Sequence, residues 1–170
     1  MPKKIRPVRI EGNLAYVPLT QGYVAVIDAS DAALISDWNW HVRPDGGNMY
    51  ASRNIPKNED GKRRSISMHR EIMGVPVGYE VDHIDRCGLN NVRSNLRLAT
   101  KSQNQCNRKV SKLSVSGVKG VAKTRSGSWR ARISKDGVRL FIGYFKTLDE
   151  ATDAYRRASE NLHGQYGRRT

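Results

Sequence analysis

Asp82 and His83 stand side by side in YEVDHIDRCGLNNVRSNLRLATKSQNQCN, residues 79–107, and a crowd of asparagines follows them. An imidazole that titrates near pH 6.5 can take a proton from water at neutral pH. A carboxylate and an amide oxygen are hard donors, and Mg²⁺ accepts one or two of them while keeping its other positions for water and phosphate. Cleaving a phosphodiester needs a base for water, neutralisation of the phosphate charge and stabilisation of the departing oxygen. One histidine and one divalent ion can supply all three. On a regular strand Asp82 and His83 point to opposite faces, so they would work on different sides of one phosphate. Asn104 could close an ion site with Asp82. A plainer reading stays open at this point. An isolated Asp-His pair can be a surface or capping feature, and LNN and RSN can be turn chemistry. Their setting in a basic region favours a site.

The elements that must carry these residues read as follows. LAYVPLTQGYVAVIDA, residues 13–28, predicts two short strands around TQG. SDAALISD, 30–37, predicts a helix with Ser30 as N-cap. WNWHV and MYASRNI predict strands joined by RPDGGN. EDGKRR is a turn, SISMH a strand, and HREIMG a helical turn closed by Gly74. EVDH is extended, IDRCGLNNVRSN a long loop and LRLA a brief extended piece. Thr100 and Gln103 form a capping box that starts a helix holding Asn104 near its first turn. RKVSKLSVSG, 108–117, is basic and Ser-rich and reads as a linker. VKGVAKT, SWRARIS and VRLFIGYF are three strands, the last two joined at Asp136-Gly137. Trp129, Ala131 and Ile133 would face a core, with Arg130 and Arg132 on the opposite side. Thr147 and Glu150 cap a final helix whose Leu148, Ala151, Ala154, Tyr155, Ala158 and Leu162 recur at helical spacing. Trp38, Trp40 and Trp129 are expected in cores. His41 and His163 are expected as surface or core polar residues, and His69 as a structural one.

Charge narrows the partner. The 170 residues carry a formal net charge of +14. Residues 1–60 hold seven Lys/Arg against seven Asp/Glu, residues 61–115 eleven against four, and residues 116–170 twelve against five. Such an excess argues for a polyanion along the last two-thirds of the chain. No apolar run approaches a bilayer-spanning length, and MPKKIRPVRIEG has no apolar stretch of the kind a signal peptide needs. The best helix is lined mainly by alanine, which is weak for a membrane surface. Two cysteines, Cys87 and Cys106, with no C-x-x-C pair fit a reduced intracellular setting and argue against a Cys-rich zinc site.

The stretch YEVDHIDRCGLNNVRSNLRLATKSQNQCNR resembles the HNH nuclease family, in the variant whose last His is Asn. VPLTQGYVAVID through SMHREIMGVPVG resembles the N-terminal part of phage and bacterial homing endonucleases of that type. The resemblance covers about residues 14–108. It implies a ββα-metal unit in which His83 is the general base, Asp82 and Asn104 are metal ligands, and Asn95 holds the loop and histidine in place, with Asn90 and Asn91 nearby as alternatives. It implies one Mg²⁺ or Mn²⁺ ion, which oxygen ligands favour over zinc, and a setting in the cytoplasm of a bacterial host. Residues 117–166 resemble the plant ethylene-response-factor (AP-two) DNA-binding domain through GV, W-x-A-x-I, IGYF, EA-x-x-AY and a final HG. That family reads the major groove with Arg and Trp on its sheet. Here Ala122, Thr124 and Ser126 occupy the first-strand positions, and Phe141 stands where a Trp is usual. Arg125, Arg130, Arg132 and Arg139 remain for DNA, with Arg93 and Arg97 as phosphate contacts beside Asn95.

The resulting expectation is an α+β chain. Residues 1–108 form an α+β nuclease domain with its ββα-metal core at about 79–108. A basic linker follows at 109–116. Residues 117–170 form a three-stranded antiparallel sheet packed on one helix. The expected activity is metal-dependent nicking of double-stranded DNA, leaving 5′-phosphate and 3′-hydroxyl ends, with no obligate protein partner. One rival is a DNA-binding regulator with a silent nuclease unit. Another is an RNA binder, disfavoured because the cationic strand lacks an aromatic stacking platform.

Overall fold

The computed structural model describes residues 4–55, 61, 64–107, 110 and 114–166. Of the expected turn at 59–64 only residues 61 and 64 are among them, and of the linker at 109–116 only residues 110 and 114–116. The chain divides into two compact units, Met1–Leu98 and Ala99–Thr170. It is α+β, built of small antiparallel sheets and few helices.

The first unit opens with an antiparallel sheet of β1 (Arg9–Glu11), β2 (Leu14–Pro18) and β3 (Val24–Asp28). The period-2 pattern buries Ala15, Val17, Ala25 and Ile27 and leaves their neighbours outward. β1 lies outside the expected pair of strands; its three residues are all exposed and give no burial alternation. The helix expected over 30–37 shrinks to α1 (Ala32–Ile35), after a 3₁₀ turn at Ala29–Asp31. Ser30 does not cap it. Asp31 holds the N-cap position without a side-chain hydrogen bond, because its carboxylate is taken by Arg93.

A second antiparallel sheet comprises β4 (His41–Asp45), β5 (Asn48–Ile55) and β6 (Arg64–Ser67). Gly46 and Gly47 both take positive φ, +56° and +82°, which makes a tight two-residue hairpin turn. α2 (Met68–Met73) follows and stops at Gly74 in the left-handed region, as expected. His69, shared by the predicted strand SISMH and the predicted helical turn HREIMG, sits on the helix. β7 (Glu80–His83) and β8 (Leu96–Ala99) pair as a two-stranded sheet.

Trp40, Ile27, Ile35, Met68 and Val17 are fully buried in one core shared by these elements. Each such side chain contributes about 1.5–3 kcal/mol. Trp38 departs from expectation. It is 43 % exposed, because it covers the Arg53 guanidinium, 4.2 Å from its ring. Arg53 also grips Glu71 through two hydrogen bonds of 2.8 and 2.7 Å. That pair fastens β5 to α2.

The second unit contains α3 (Lys101–Asn107), a sheet ordered β11 (Val138–Phe145), β10 (Trp129–Lys135), β9 (Val121–Lys123), and α4 (Leu148–His163). The capping box of α3 forms as read: Gln103 N–H donates to Thr100 Oγ1 and Thr100 N–H to Gln103 Oε1. Val121, Ala131 and Ile133 of the sheet pack on Ala151 and Tyr155 of α4, with Trp129 half-buried beside them. Gly120 has φ +72°, and a Cβ there would lie 2.2 Å from the Arg132 carbonyl and 2.3 Å from the Tyr155 ring. Only glycine permits this approach. Asp136 and Gly137, with φ of 50° and 82°, turn the β10–β11 hairpin.

The predicted capping box on α4 is complete. Thr147 Oγ1 accepts from Glu150 N–H while the Glu150 carboxylate accepts from Thr147 N–H. Replacing Thr147 by Ala should lower stability by about 1 kcal/mol, seen as a lower urea midpoint with an unchanged slope. An unchanged midpoint would mean the cap contributes nothing.

Candidate active site

His83 ends β7 and is buried. Its Nε2 lies 3.2 Å from Asn91 Oδ1. Two rings stand against it edge-on: His69 of α2 at 5.0 Å and 90°, and Tyr50 of β5 at 5.8 Å and 61°. Tyr50 and His69 are themselves 5.8 Å apart. Burial pulls the His83 pKa below its ordinary value, against the Asn91 hydrogen bond and the charges of Asp85 and Asp82, which raise it. Burial thus biases the ring toward its neutral form.

The loop after β7 is organised by its own polar side chains. Asp85 is the hub. Its Oδ1 accepts from Cys87 N–H and Asn95 Nδ2, and its Oδ2 from Asn90 Nδ2. Asn95 Oδ1 accepts from Asp85 N–H, and Asn95 Nδ2 also donates to the Asn90 carbonyl. Burial would raise the Asp85 pKa; the hydrogen bonds from Cys87, Asn90 and Asn95 and the nearby His83 outweigh it and hold it below 3.8. Beyond the hub, the loop is tied to β3. Val26 N–H donates to the Leu89 carbonyl and Asn91 N–H to the Val26 carbonyl. Asp28 Oδ2 accepts from Arg93 N–H. Gly88 permits close packing: a Cβ there would fall 2.5 Å from the Tyr50 ring and from the Met49 carbonyl.

Two asparagines therefore divide a task that sequence reading had left among three. Asn95 clasps the loop, and Asn91 touches the histidine. Asp85 and Tyr50 had no part in the sequence reading. Asp85 carries a local signal, a carboxylate two residues before a loop N–H, whereas Tyr50 is distant in the chain and carries none.

Asp82, also buried, faces Arg97 of β8, whose Nε and Nη2 lie 2.8 and 2.5 Å from its Oδ2. Arg97, expected at a phosphate, is turned inward with its side chain only 15 % exposed, because a buried carboxylate requires a counter-charge. Arg93 chelates Asp31 but keeps its side chain 52 % exposed. Asn104 lies half-buried on α3 in the second unit. Among the described residues no three His, Cys, Asp or Glu side chains gather as ligands. Within the first unit the Asp82 carboxylate is a hard oxygen donor of the kind a divalent ion accepts, and such an ion needs few protein donors. On the second unit, Arg130 and Arg132 of β10 lie opposite Tyr144 and Phe141 of β11. Arg139 lies opposite Ser134 and shares their face, and Arg125 is exposed in the turn before β10. The cationic strand thus has aromatic partners after all, Phe141 and Tyr144, with rings 5.1 Å apart.

Residues 70–106, which carry His83, Asn91, Asn95 and Asn104, match the family model described as HNH endonuclease. An uncharacterized HNH endonuclease of Acanthamoeba polyphaga mimivirus is 31% identical over 153 residues, covering 86% of this chain and 74% of that protein. The chain belongs to the HNH endonuclease family. Protein 3.8 of Escherichia phage T7 is 35% identical over 108 residues, 62% of this chain and 88% of the phage protein. No solved structure matches. As an HNH endonuclease the chain is a nuclease, its substrate is DNA, and its family generally employs a divalent metal.

The buried His69 ring beside His83 makes acid stability diagnostic. Burial, with the charges of His83, Arg70 and Arg43, lowers the His69 pKa from 6.5 to about 3. The unfolded chain takes up the proton near pH 6.5 and the folded chain does not, so stability is full above that pH and declines below it. The decline should approach about 1.4 kcal/mol per pH unit. His69→Phe should reduce it between urea titrations at pH 7 and pH 5, leaving the part that His83 contributes. Equal slopes would show that His69 is protonated freely in the fold.

Proposed function

We propose that this HNH endonuclease is of the homing type and nicks duplex DNA, leaving 5′-phosphate and 3′-hydroxyl ends. The reading rests on one observation: a buried His83 held by Asn91 beside Asp82. His83 takes a proton from water as the oxygen attacks phosphorus. The P–O3′ bond breaks, and the departing oxygen takes up a proton from solvent. The imidazolium so formed is favoured by the Asp85 and Asp82 carboxylates, both of which act to raise the His83 pKa. Asp82 and Asn104 would hold the Mg²⁺ or Mn²⁺ ion, which when bound neutralises charge on the phosphate and the leaving oxygen. Asn95 keeps the loop closed through Asp85.

In this reading the nuclease domain runs through α3 to about residue 108, 109–116 is a linker, and 117–170 is an AP-two-like domain that docks on duplex DNA. Arg125, Arg130, Arg132 and Arg139 supply its cationic face, and Arg93 adds a phosphate contact from the nuclease unit. Arg97 is better read as the keeper of Asp82. The protein would act on DNA in the cytoplasm of a bacterial host. One site cuts one strand, so a monomer nicks.

Supercoiled plasmid incubated with the protein and Mg²⁺ should convert to the open circle, and EDTA should stop it. His83→Ala should slow nicking about 10²–10⁴-fold while leaving duplex affinity in place. Nicking unchanged by that substitution removes the base role. Tight binding with no metal-dependent cleavage of any DNA would instead favour a silent nuclease unit.

The double variant Arg130→Ala, Arg132→Ala tests the second unit. It should weaken duplex binding and reduce the slope of log K against log salt by about 2. An unaltered slope would place the phosphate contacts elsewhere.

A further inference from the structure

The general base sits in a socket more elaborate than burial requires. Tyr50, His69 and His83 form a triangle of edge-to-face rings with centroids 5.8, 5.8 and 5.0 Å apart. Asn91, 0% exposed, supplies the hydrogen bond to Nε2. Each wall is fixed from behind. The Asn91 backbone is bound to Val26. His69 rides on α2, which Arg53 and Glu71 fasten to β5. Gly88 lets the loop press on Tyr50.

Two walls carry a cost. His69 Nδ1 and Asn91 Nδ2 are buried with no hydrogen-bond partner among the described residues. Each such atom costs about 1–3 kcal/mol. A merely structural wall would be built from leucine and phenylalanine, with nothing left unsatisfied. Polar side chains held at such cost point to work done on a neighbour, and the neighbour they share is His83.

We propose that Asn91 and His69 are positioning residues for the general base: Asn91 sets which ring nitrogen of His83 carries the proton, and His69 sets the plane of the ring. Asn91 Oδ1 accepts from Nε2–H, so the neutral ring presents Nδ1 as its basic nitrogen. The perpendicular His69 ring blocks rotation of the His83 ring about its Cβ–Cγ bond. Each acts through His83. The inference rests on His83 being the base, and its first test does not depend on cleavage.

That test is long-range ¹H–¹⁵N spectroscopy of histidine rings in the metal-free full chain at pH 8, with His83 assigned by its loss in His83→Ala. The expected signature is a single Nε2–H tautomer, which becomes a mixture in Asn91→Leu and persists in Asn91→Asp, where an acceptor oxygen remains. A predominant Nδ1–H form in the unaltered chain overturns the proposal even if no variant folds. The second test is single-turnover plasmid nicking with Mg²⁺ and saturating protein, alongside duplex affinity. Asn91→Leu and His69→Ala should each slow nicking about 10–100-fold with duplex affinity held, and His69→Phe, which restores a ring of similar size, should recover most of the His69→Ala loss. Rates that do not change, or a loss that follows melting temperature and not the ring, would sink it. If the unaltered chain fails to nick while the tautomer is as expected, it is the base reading and not the socket that has failed.

Discussion

An irregular loop can hold a buried imidazole only if the loop first satisfies its own backbone. This loop has no strand ladder to pair its N–H and C=O groups, and its outer side, at Ile84, Asp85 and Cys87, is open to solvent while His83 and Gly88 are buried. Asp85 meets this constraint. One carboxylate receives a backbone N–H and two side-chain amides, and Asn95 returns a bond to the Asp85 N–H. Bonds to a charged acceptor are about twice as strong as neutral ones. They replace the ladder that a strand would have supplied. The crowd of asparagines is thus neither turn filler nor a set of metal ligands as a whole. Each amide is both donor and acceptor, which is what a loop without regular pairing needs.

The constraint explains why a short motif requires so long an approach. The matched stretch, 70–106, is too small to build a core alone. It borrows one. β3 offers the Val26 carbonyl to Asn91 and the Asp28 carboxylate to Arg93, and β5 sends Tyr50 to the histidine. His69 comes from the matched stretch's immediate neighbour on α2. The neutral charge of residues 1–60 fits this role: they serve the site by backing it, and acidic Asp28 and Asp31 are spent on Arg93.

Much of this could be read from residue order because alternation and capping are local. The burial of Ala15, Val17, Ala25 and Ile27, the two capping boxes, and the hairpins at Gly46-Gly47 and Asp136-Gly137 depend on neighbours within a few positions. Asp82 and His83 were visible for the same reason. What could not be read was which polar group meets which. Nothing local distinguishes Asn91 from Asn95, since both lie in one aperiodic loop and their partners are set by where β3 runs. Trp38 looked like core because tryptophan is large and apolar, but its face is used to cover a guanidinium. α1 was read too long because Asp31 and Ser30 both suit a cap, and the competing demand of Arg93 comes from a distant segment.

The second unit shows the same limit at a surface. A strand read alone has two faces, and β10 alone shows arginine on one of them. Pairing adds a second strand in a register that no single strand reveals. A bulge between Ala131 and Arg132 puts Arg132 opposite Phe141, while Arg130 stays opposite Tyr144. The face then alternates guanidinium and ring, with Phe141 56% and Tyr144 62% exposed. Guanidinium groups would hold phosphates or guanine edges, and rings would meet thymine methyls or stack on bases left unpaired. The cationic strand still has no aromatic side chain on its arginine face; the rings come from its neighbour β11. The similarity to the mimivirus endonuclease spans 86% of this chain, more than either unit alone. The cationic, aromatic face and the ring socket around His83 belong to different units, so each is built from its own stretch of chain.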